Sequence, residues 1–138
     1  MKVIEKMLEA QGREPFPKLL GITCEEVREG YARCKMAVTE EMVNIFGSAH
    51  GGAVFSLLDE SFQLACNSHG RVAVALNLSV TYVKGALPGE TLISEVTEKS
   101  RTSRTAVYDA SVTNGEGELV ATGQALAYRK KDLPDFLK

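Results

Sequence analysis

Two features near the middle of this 138-residue chain have the types and spacing for chemistry on a carbonyl group: His50-Gly51-Gly52, and Asp59 eight positions beyond Gly51. A helix N-terminus presents unpaired N–H groups and a positive partial charge, and glycine lets a ligand come close to the backbone. If a helix starts here, an outward N–H at Gly51 can polarise a carbonyl and stabilise the oxyanion formed from it. The same two glycines also suit a tight turn that allows close packing, and the run alone leaves both readings open. Asp59 likewise has two readings. It serves as a nucleophile or a general base for water, or it is a buried carboxylate tied to an arginine or to backbone donors.

Other constellations are thinner. Ser48, His50 and Asp59 supply the residue types of a hydrolase triad, but there is no GxSxG elbow, and Ser48 and His50 lie too close in sequence. Cys66 and His69 have metal-like spacing, yet His50 is the only other histidine and no second ligand pair exists. No metal or cofactor is expected, and Cys66 reads as a small core residue. Arg71, Lys84, Lys99, Arg101 and Arg104 fall near the ends of expected strands. They either meet phosphates or are simply solvated.

The element that must position these groups runs from Asn44 to Gly70, between two glycine-marked turns. Ala53, Val54, Phe55, Leu57, Leu58, Phe62, Leu64, Ala65 and Cys66 place apolar groups almost all round a helix, which predicts burial on nearly every side. Ser56, Asp59, Glu60, Gln63 and Asn67 form a polar stripe at steps of three and four. Asp59 is read as a carboxylate inside this buried helix, costly unless paired or used. Ser48 or a near neighbour is expected to cap the start, and Gly70 to supply a left-handed end.

Before that helix, Val3, Ile4, Met7 and Leu8 predict a short amphipathic helix ending before Gly12, with Pro15 and Pro17 interrupting any continuation. Phe16 to Ile22 is read as a turn or short helix closing one end of the core. Thr23–Arg28 and Tyr31–Thr39 read as strands joined at Glu29-Gly30. After the helix, Val72, Val74, Leu76, Leu78, Val80 and Tyr82 alternate with smaller or polar residues, which predicts a half-buried antiparallel strand. Strands at 90–98, 104–113 and 118–129 follow, separated by Pro88-Gly89, Arg101–Ser103 and Asn114-Gly115. The expectation is an α+β domain over residues 1–138: an antiparallel sheet of about five to six strands around one long helix. Residues 1–21 form an N-terminal helix and turn, and 130–138 a peripheral tail.

A net charge of −2 argues against a broad electrostatic footprint for nucleic acid. No run of about 18 apolar residues suggests a membrane span, and the charged N-terminus does not read as a secretory signal. Three cysteines outside any CxxC spacing point to a reducing cytoplasm. Geometry along the helix adds a partner. Eight residues at 1.5 Å rise put Gly51 and Asp59 about 12 Å apart along the axis and turn them by roughly 80°. One carbonyl carbon therefore cannot meet both groups within one chain. Two such helices lying antiparallel about a twofold axis would bring Asp59 of one chain to Gly51 of the other, which predicts at least a homodimer with two equivalent sites.

At these residues the chain resembles the hotdog-fold acyl-CoA thioesterases, and among them the PaaI group of phenylacetic acid degradation thioesterases. The resemblance rests on Asn44-Ile45-Phe46-Gly47-Ser48-Ala49-His50-Gly51-Gly52, on Asp59, on Ala65-Cys66-Asn67-Ser68-His69-Gly70, and on Ala73-Val74-Ala75 with Thr81-Tyr82. It implies dimers that pair into a homotetramer and hydrolysis of an acyl-CoA thioester at the subunit interface, with aryl-acetyl or medium-chain acyl groups as substrates. By position it implies that the Gly51 N–H polarises the thioester carbonyl, that Asp59 of the neighbouring subunit attacks or activates water, and that Asn44 and His50 orient the carbonyl, the water and the loop. Gly52, Asn77, Arg101 and Arg104 are the candidate substrate-binding residues, Asn77 standing where some relatives carry a hydroxyl. The chain departs from the family after Tyr82, where Val83-Lys84-Gly85-Ala86 replaces an often-present proline. A hotdog hydratase or dehydratase and a non-catalytic acyl-CoA sensor are the competing readings. The pairing of an oxyanion donor with a carboxylate favours the thioesterase.

Overall fold

In the computed structural model, which describes residues 2–138, six strands form one antiparallel sheet in the order β1-β2-β4-β5-β6-β3. The strands are β1 (Thr23–Arg28), β2 (Tyr31–Ala37), β3 (Ala73–Tyr82), β4 (Thr91–Arg101), β5 (Thr105–Thr113) and β6 (Leu119–Arg129). Helices α1 (Lys2–Gln11) and α2 (Pro15–Leu20) precede them, and α3 (Gly51–Asn67) crosses the sheet between β2 and β3. Short 3-10 turns occupy Glu40–Met42 and Asp135–Leu137.

The sequence of α3 contains a single β-branched residue, Val54, so little side-chain freedom is lost on forming the helix. Its apolar residues then meet the sheet. Leu57, Leu58, Phe62 and Ala65 share one core with Cys34 and Met36 of β2, Leu92 and Val96 of β4, and Tyr108 and Val112 of β5. The Phe62 and Tyr108 rings meet edge to face at 5.5 Å between centroids, a geometry that adds about 1 kcal/mol to simple burial. Pro15 does not block a helix but begins one: at the first helical position its missing N–H costs nothing. Gly21, at φ 67°, then ends α2 in the left-handed conformation.

Four expectations need correction. The buried carboxylate of α3 is Glu60, 7 % exposed, whereas the neighbouring Asp59 is exposed in the single chain. Neighbours on a helix point about 100° apart, and α1 and the turn after it cover the Glu60 side. The strand after the helix is not half-buried. β3 is an edge strand with Val74, Leu76 and Tyr82 exposed, and a bulge between Ala75 and Asn77 breaks the alternation at Leu76. The tail is docked: Val72 and residues 130–132 exchange backbone hydrogen bonds, and Phe136 packs on the core. The second strand also stops at Ala37, two residues short of the expected Thr39.

Candidate functional site

The loop before α3 is closed by Asn44. Its Oδ1 accepts the N–H groups of Phe46 at 2.9 Å and Ser48 at 3.1 Å, while its backbone N–H donates to Ser48 O at 2.8 Å. Gly47 completes the turn at φ 81°. Val43 and Ala49 bridge the loop's two arms, and the His50 N–H bonds to Met42 O at 2.6 Å. Ile45 and Phe46 are carried outward at the tip, 92 % and 83 % exposed.

This frame delivers His50, not Ser48, as the N-cap of α3. With φ −61° and ψ 138°, His50 accepts the Gly52 N–H on Nδ1 at 2.9 Å, and its carbonyl accepts from Ala53 and Val54. An accepting Nδ1 carries no proton, so a neutral ring holds its proton on Nε2. Gly52 is thereby removed from the set of substrate donors. Among the described residues the Gly51 N–H has no hydrogen-bond partner. The free donor at the positive end of α3 is therefore the one singled out from the sequence.

Tyr82, at the end of β3, stands over this point. Its hydroxyl donates to Gly51 O at 3.0 Å, and a Cβ on Gly51 would lie 3.2 Å from the Tyr82 ring. A Cβ on Gly52 would lie 3.2 Å from His50 Nδ1. The two readings of His-Gly-Gly are therefore compatible, since the glycines permit close packing and leave one N–H free.

Asp59 lies two turns further on, facing a cleft of about 220 Å3 lined by Phe62, Gln63, Cys66, Asn67, Ala73 and Val74. Among the described residues it has no ion pair or hydrogen bond, so it is not a carboxylate tied to an arginine. Although the residue as a whole is exposed, partial desolvation of its carboxyl in the cleft, with the nearby Glu14 charge second, holds it above the usual aspartate range. That makes Asp59 a stronger base than a solvated aspartate.

The other candidates are dispersed. Asn77 is exposed on β3 and accepts the Ser79 hydroxyl at 3.0 Å. Arg101 meets His69 Nδ1 past the far end of α3, while His69 Nε2 bonds to Glu98 at 2.8 Å and the Tyr108 hydroxyl to the same Glu98 oxygen at 3.0 Å. Arg104 is exposed beside Tyr128, Arg129, Lys130 and Lys131. Since α3 is about 25 Å long, neither arginine reaches the Gly51 end within one chain. Cys66 and His69 do not converge: the Cys66 thiol turns towards backbone carbonyls of Gln63 and Ala73. Sequence reasoning missed the Tyr82 contact, whose only signal was an aromatic residue ending a strand. It also missed the Gln63 amide shared by Glu14 and Glu60, for which no local pattern exists.

Comparison with known proteins finds relatives of this chain. The model of the thioesterase superfamily matches residues 46–121. The acyl-coenzyme A thioesterase PaaI of Escherichia coli is 36 % identical over 112 residues, covering 81 % of this chain and 80 % of that protein. The solved structure of the E. coli PaaI protein superposes with a TM-score of 0.92 at 31 % identity, over 96 % of each chain. A Streptococcus mutans protein solved bound to acetyl CoA superposes with a TM-score of 0.78 at 27 % identity, over 82 % of this chain and 91 % of that one.

Proposed function

This chain belongs to the thioesterase superfamily and is a thioester hydrolase of hotdog fold, and from that premise we propose that it hydrolyses acyl-CoA at sites built by two chains. The observation that carries the reading is the free Gly51 N–H on the same helix as the unpaired Asp59, too far apart to serve one carbonyl in one chain. A twofold partner resolves this. With two α3 helices antiparallel, the thioester oxygen sits on Gly51 of one chain and the carbonyl carbon faces Asp59 of the other. The unpaired β3 edge, with Val74, Leu76 and Tyr82 exposed, supports this partner, because a bare edge strand invites pairing with another chain.

Two routes share this geometry. In one, Asp59 takes a proton from water, the hydroxide adds to the carbonyl carbon, and the oxyanion is held by the Gly51 N–H; collapse expels CoA thiolate, which takes up the proton. In the other, Asp59 adds directly, expels the thiolate, and the resulting anhydride is hydrolysed. Either route draws on a positioned base or nucleophile, worth about 10²–10⁴ in rate for general-base catalysis, and on an oxyanion donor, worth about 10²–10³. Asn44 and His50 position that donor through the loop and the cap.

The reading extends to aryl-acetyl or medium-chain acyl groups, supported by the Phe62-lined cleft beside Asp59 and by the origin of the PaaI protein in a phenylacetic acid degradation operon. Arg101 and Arg104 are read as partners for the CoA phosphates, with Asn77 nearer the acyl group. Exposed Phe16 and Leu19 on α2 leave apolar surface for two dimers to pair as a homotetramer. No helix among the described residues is long and apolar enough to cross a membrane. A cytoplasmic setting follows from the cysteine usage read in the sequence. The test is release of free CoA thiol across aryl, short, medium and long acyl-CoA substrates, with Asp59→Asn binding substrate without turning it over. Binding by the wild type with no hydrolysis on any of them overturns the proposal in favour of an acyl-CoA sensor.

A further inference from the structure

The Glu60 carboxyl sits in the joint between the N-terminal segment and α3. Gln11 of α1 donates to one of its oxygens at 3.3 Å and Gln63 to the other at 3.5 Å. Gln63 makes its shorter bond, 2.8 Å, to Oε2 of Glu14, which lies in the turn between α1 and α2. The remaining Glu14 oxygen, Oε1, is buried without a hydrogen-bond partner, and the Gln63 amide nitrogen bridges the Glu14 and Glu60 carboxyls. Titratable groups facing Glu60 are Glu14 from the turn, Asp59 on α3 and the Cys34 thiol on β2. Among the described residues neither carboxyl has a lysine or arginine in ion-pair distance.

Two ionised carboxylates bridged by one amide, with no cation between them, repel each other, so one proton stays in the pair. The unpartnered Glu14 Oε1 requires a donor, and the Glu60 O–H is the group placed to supply it. We infer that Glu60 carries a proton donated to Glu14, and that the Glu14 carboxylate so fixed is a positioning charge beside the Asp59 cleft. Gln63 links the two sides: it bonds to Glu14 and also lines the Asp59 cleft. Burial, followed by Glu14, pushes the Glu60 carboxyl up to about 8. The same two causes raise Asp59. The second half of the inference rests on the reading of Asp59 as base or nucleophile; the first half does not.

The linkage has a definite sign. A carboxyl raised from 4.5 to about 8 on folding binds more protons in the folded chain between those values. Its contribution is therefore complete below about pH 4.5 and is lost as pH rises through about 8. Thermal unfolding of the wild type should fall by at least about 5 °C between pH 5 and 8.5. Glu60→Gln, whose amide donates the same bond without titrating, should lose most of that slope and exceed the wild type at pH 8.5. A flat wild-type profile, or an unchanged slope in Glu60→Gln, overturns the shared proton. Carbon-13 NMR titration of the Asp59 carboxyl tests the second half without requiring turnover. Glu14→Gln should lower its midpoint, and an unmoved midpoint overturns the positioning role. Both measurements remain readable if no acyl-CoA is hydrolysed, so failure of the thioesterase reading and failure of this inference are distinguishable.

Discussion

His50 Nδ1 accepts the Gly52 N–H at 2.9 Å, and that bond is what leaves the Gly51 N–H as the free donor at the start of α3. One side chain thus both caps the helix and selects which glycine N–H stays free. Capping residues replaced by alanine cost about 1 kcal/mol, or roughly 3 °C of melting temperature in a domain of this size. His50→Ala should show that loss by calorimetry together with a fall of about tenfold in kcat, because the donor loses its frame. His50→Asn should recover most of the melting temperature, asparagine being an effective cap.

Tyr82 crowds the space that a side chain at Gly51 would take. Alanine would normally gain about 1 kcal/mol over glycine in a helix, but here its Cβ would lie 3.2 Å from the Tyr82 ring. Gly51→Ala should therefore lower the melting temperature in the wild-type background and raise it in a Tyr82→Ala background. The sign reversal across this double-mutant cycle is the measurement, and additivity of the two changes would contradict the contact.

The β3 edge should be where the second chain binds. Leu76 stands at the bulge, 57 % exposed, and a lysine there would place a charge in a paired interface. Leu76→Lys should shift sedimentation from dimer or tetramer to monomer, and turnover should be lost in proportion to the dimer fraction. An active monomer would contradict the shared site.

Arg101 and Arg104 should behave differently. Arg101 is engaged by His69, so Arg101→Ala should alter stability as well as binding. Arg104 is exposed at the strand end, so Arg104→Ala should raise KM for acyl-CoA by about threefold to tenfold, equivalent to ~0.7–1.4 kcal/mol, with kcat retained. That difference should shrink in high salt, where exposed charges are screened. Steady-state kinetics at two ionic strengths checks both.

Much of the fold was legible because periodicity and punctuation are local. All six strands and α3 followed from alternation, from the 3.6-residue pattern and from Gly-containing turns. Local signals failed where a neighbour distant in sequence decides. Asp59 and Glu60 are adjacent carboxylates on one helix, and only the position of α1 and the Glu14 turn determines which is buried. Alternation along 72–82 implies one buried face, but the pattern does not distinguish burial in this chain's own core from burial against a second chain. The bulge at Leu76 adds one residue that alternation does not anticipate. The candidate site was legible as residue types at His50-Gly51-Gly52 and Asp59, and the spacing already excluded cooperation between the two within one chain. The role of Tyr82 needed the strand's end brought over the start of the helix, a contact 31 residues apart.

Subunit mixing tests the shared site most directly. Asp59→Asn removes the carboxylate, and Gly51→Pro, made together with Tyr82→Ala to clear the 3.2 Å contact a Cβ would meet there, removes the N–H at the first helical position, where proline keeps the backbone; each homodimer should be inactive. After exchange at equal amounts, half the dimers are mixed, and each mixed dimer holds one intact site of two. Thiol release should therefore recover to about a quarter of the wild-type rate. With exchange verified by native mass spectrometry, no recovery would contradict a site made from Gly51 of one chain and Asp59 of the other.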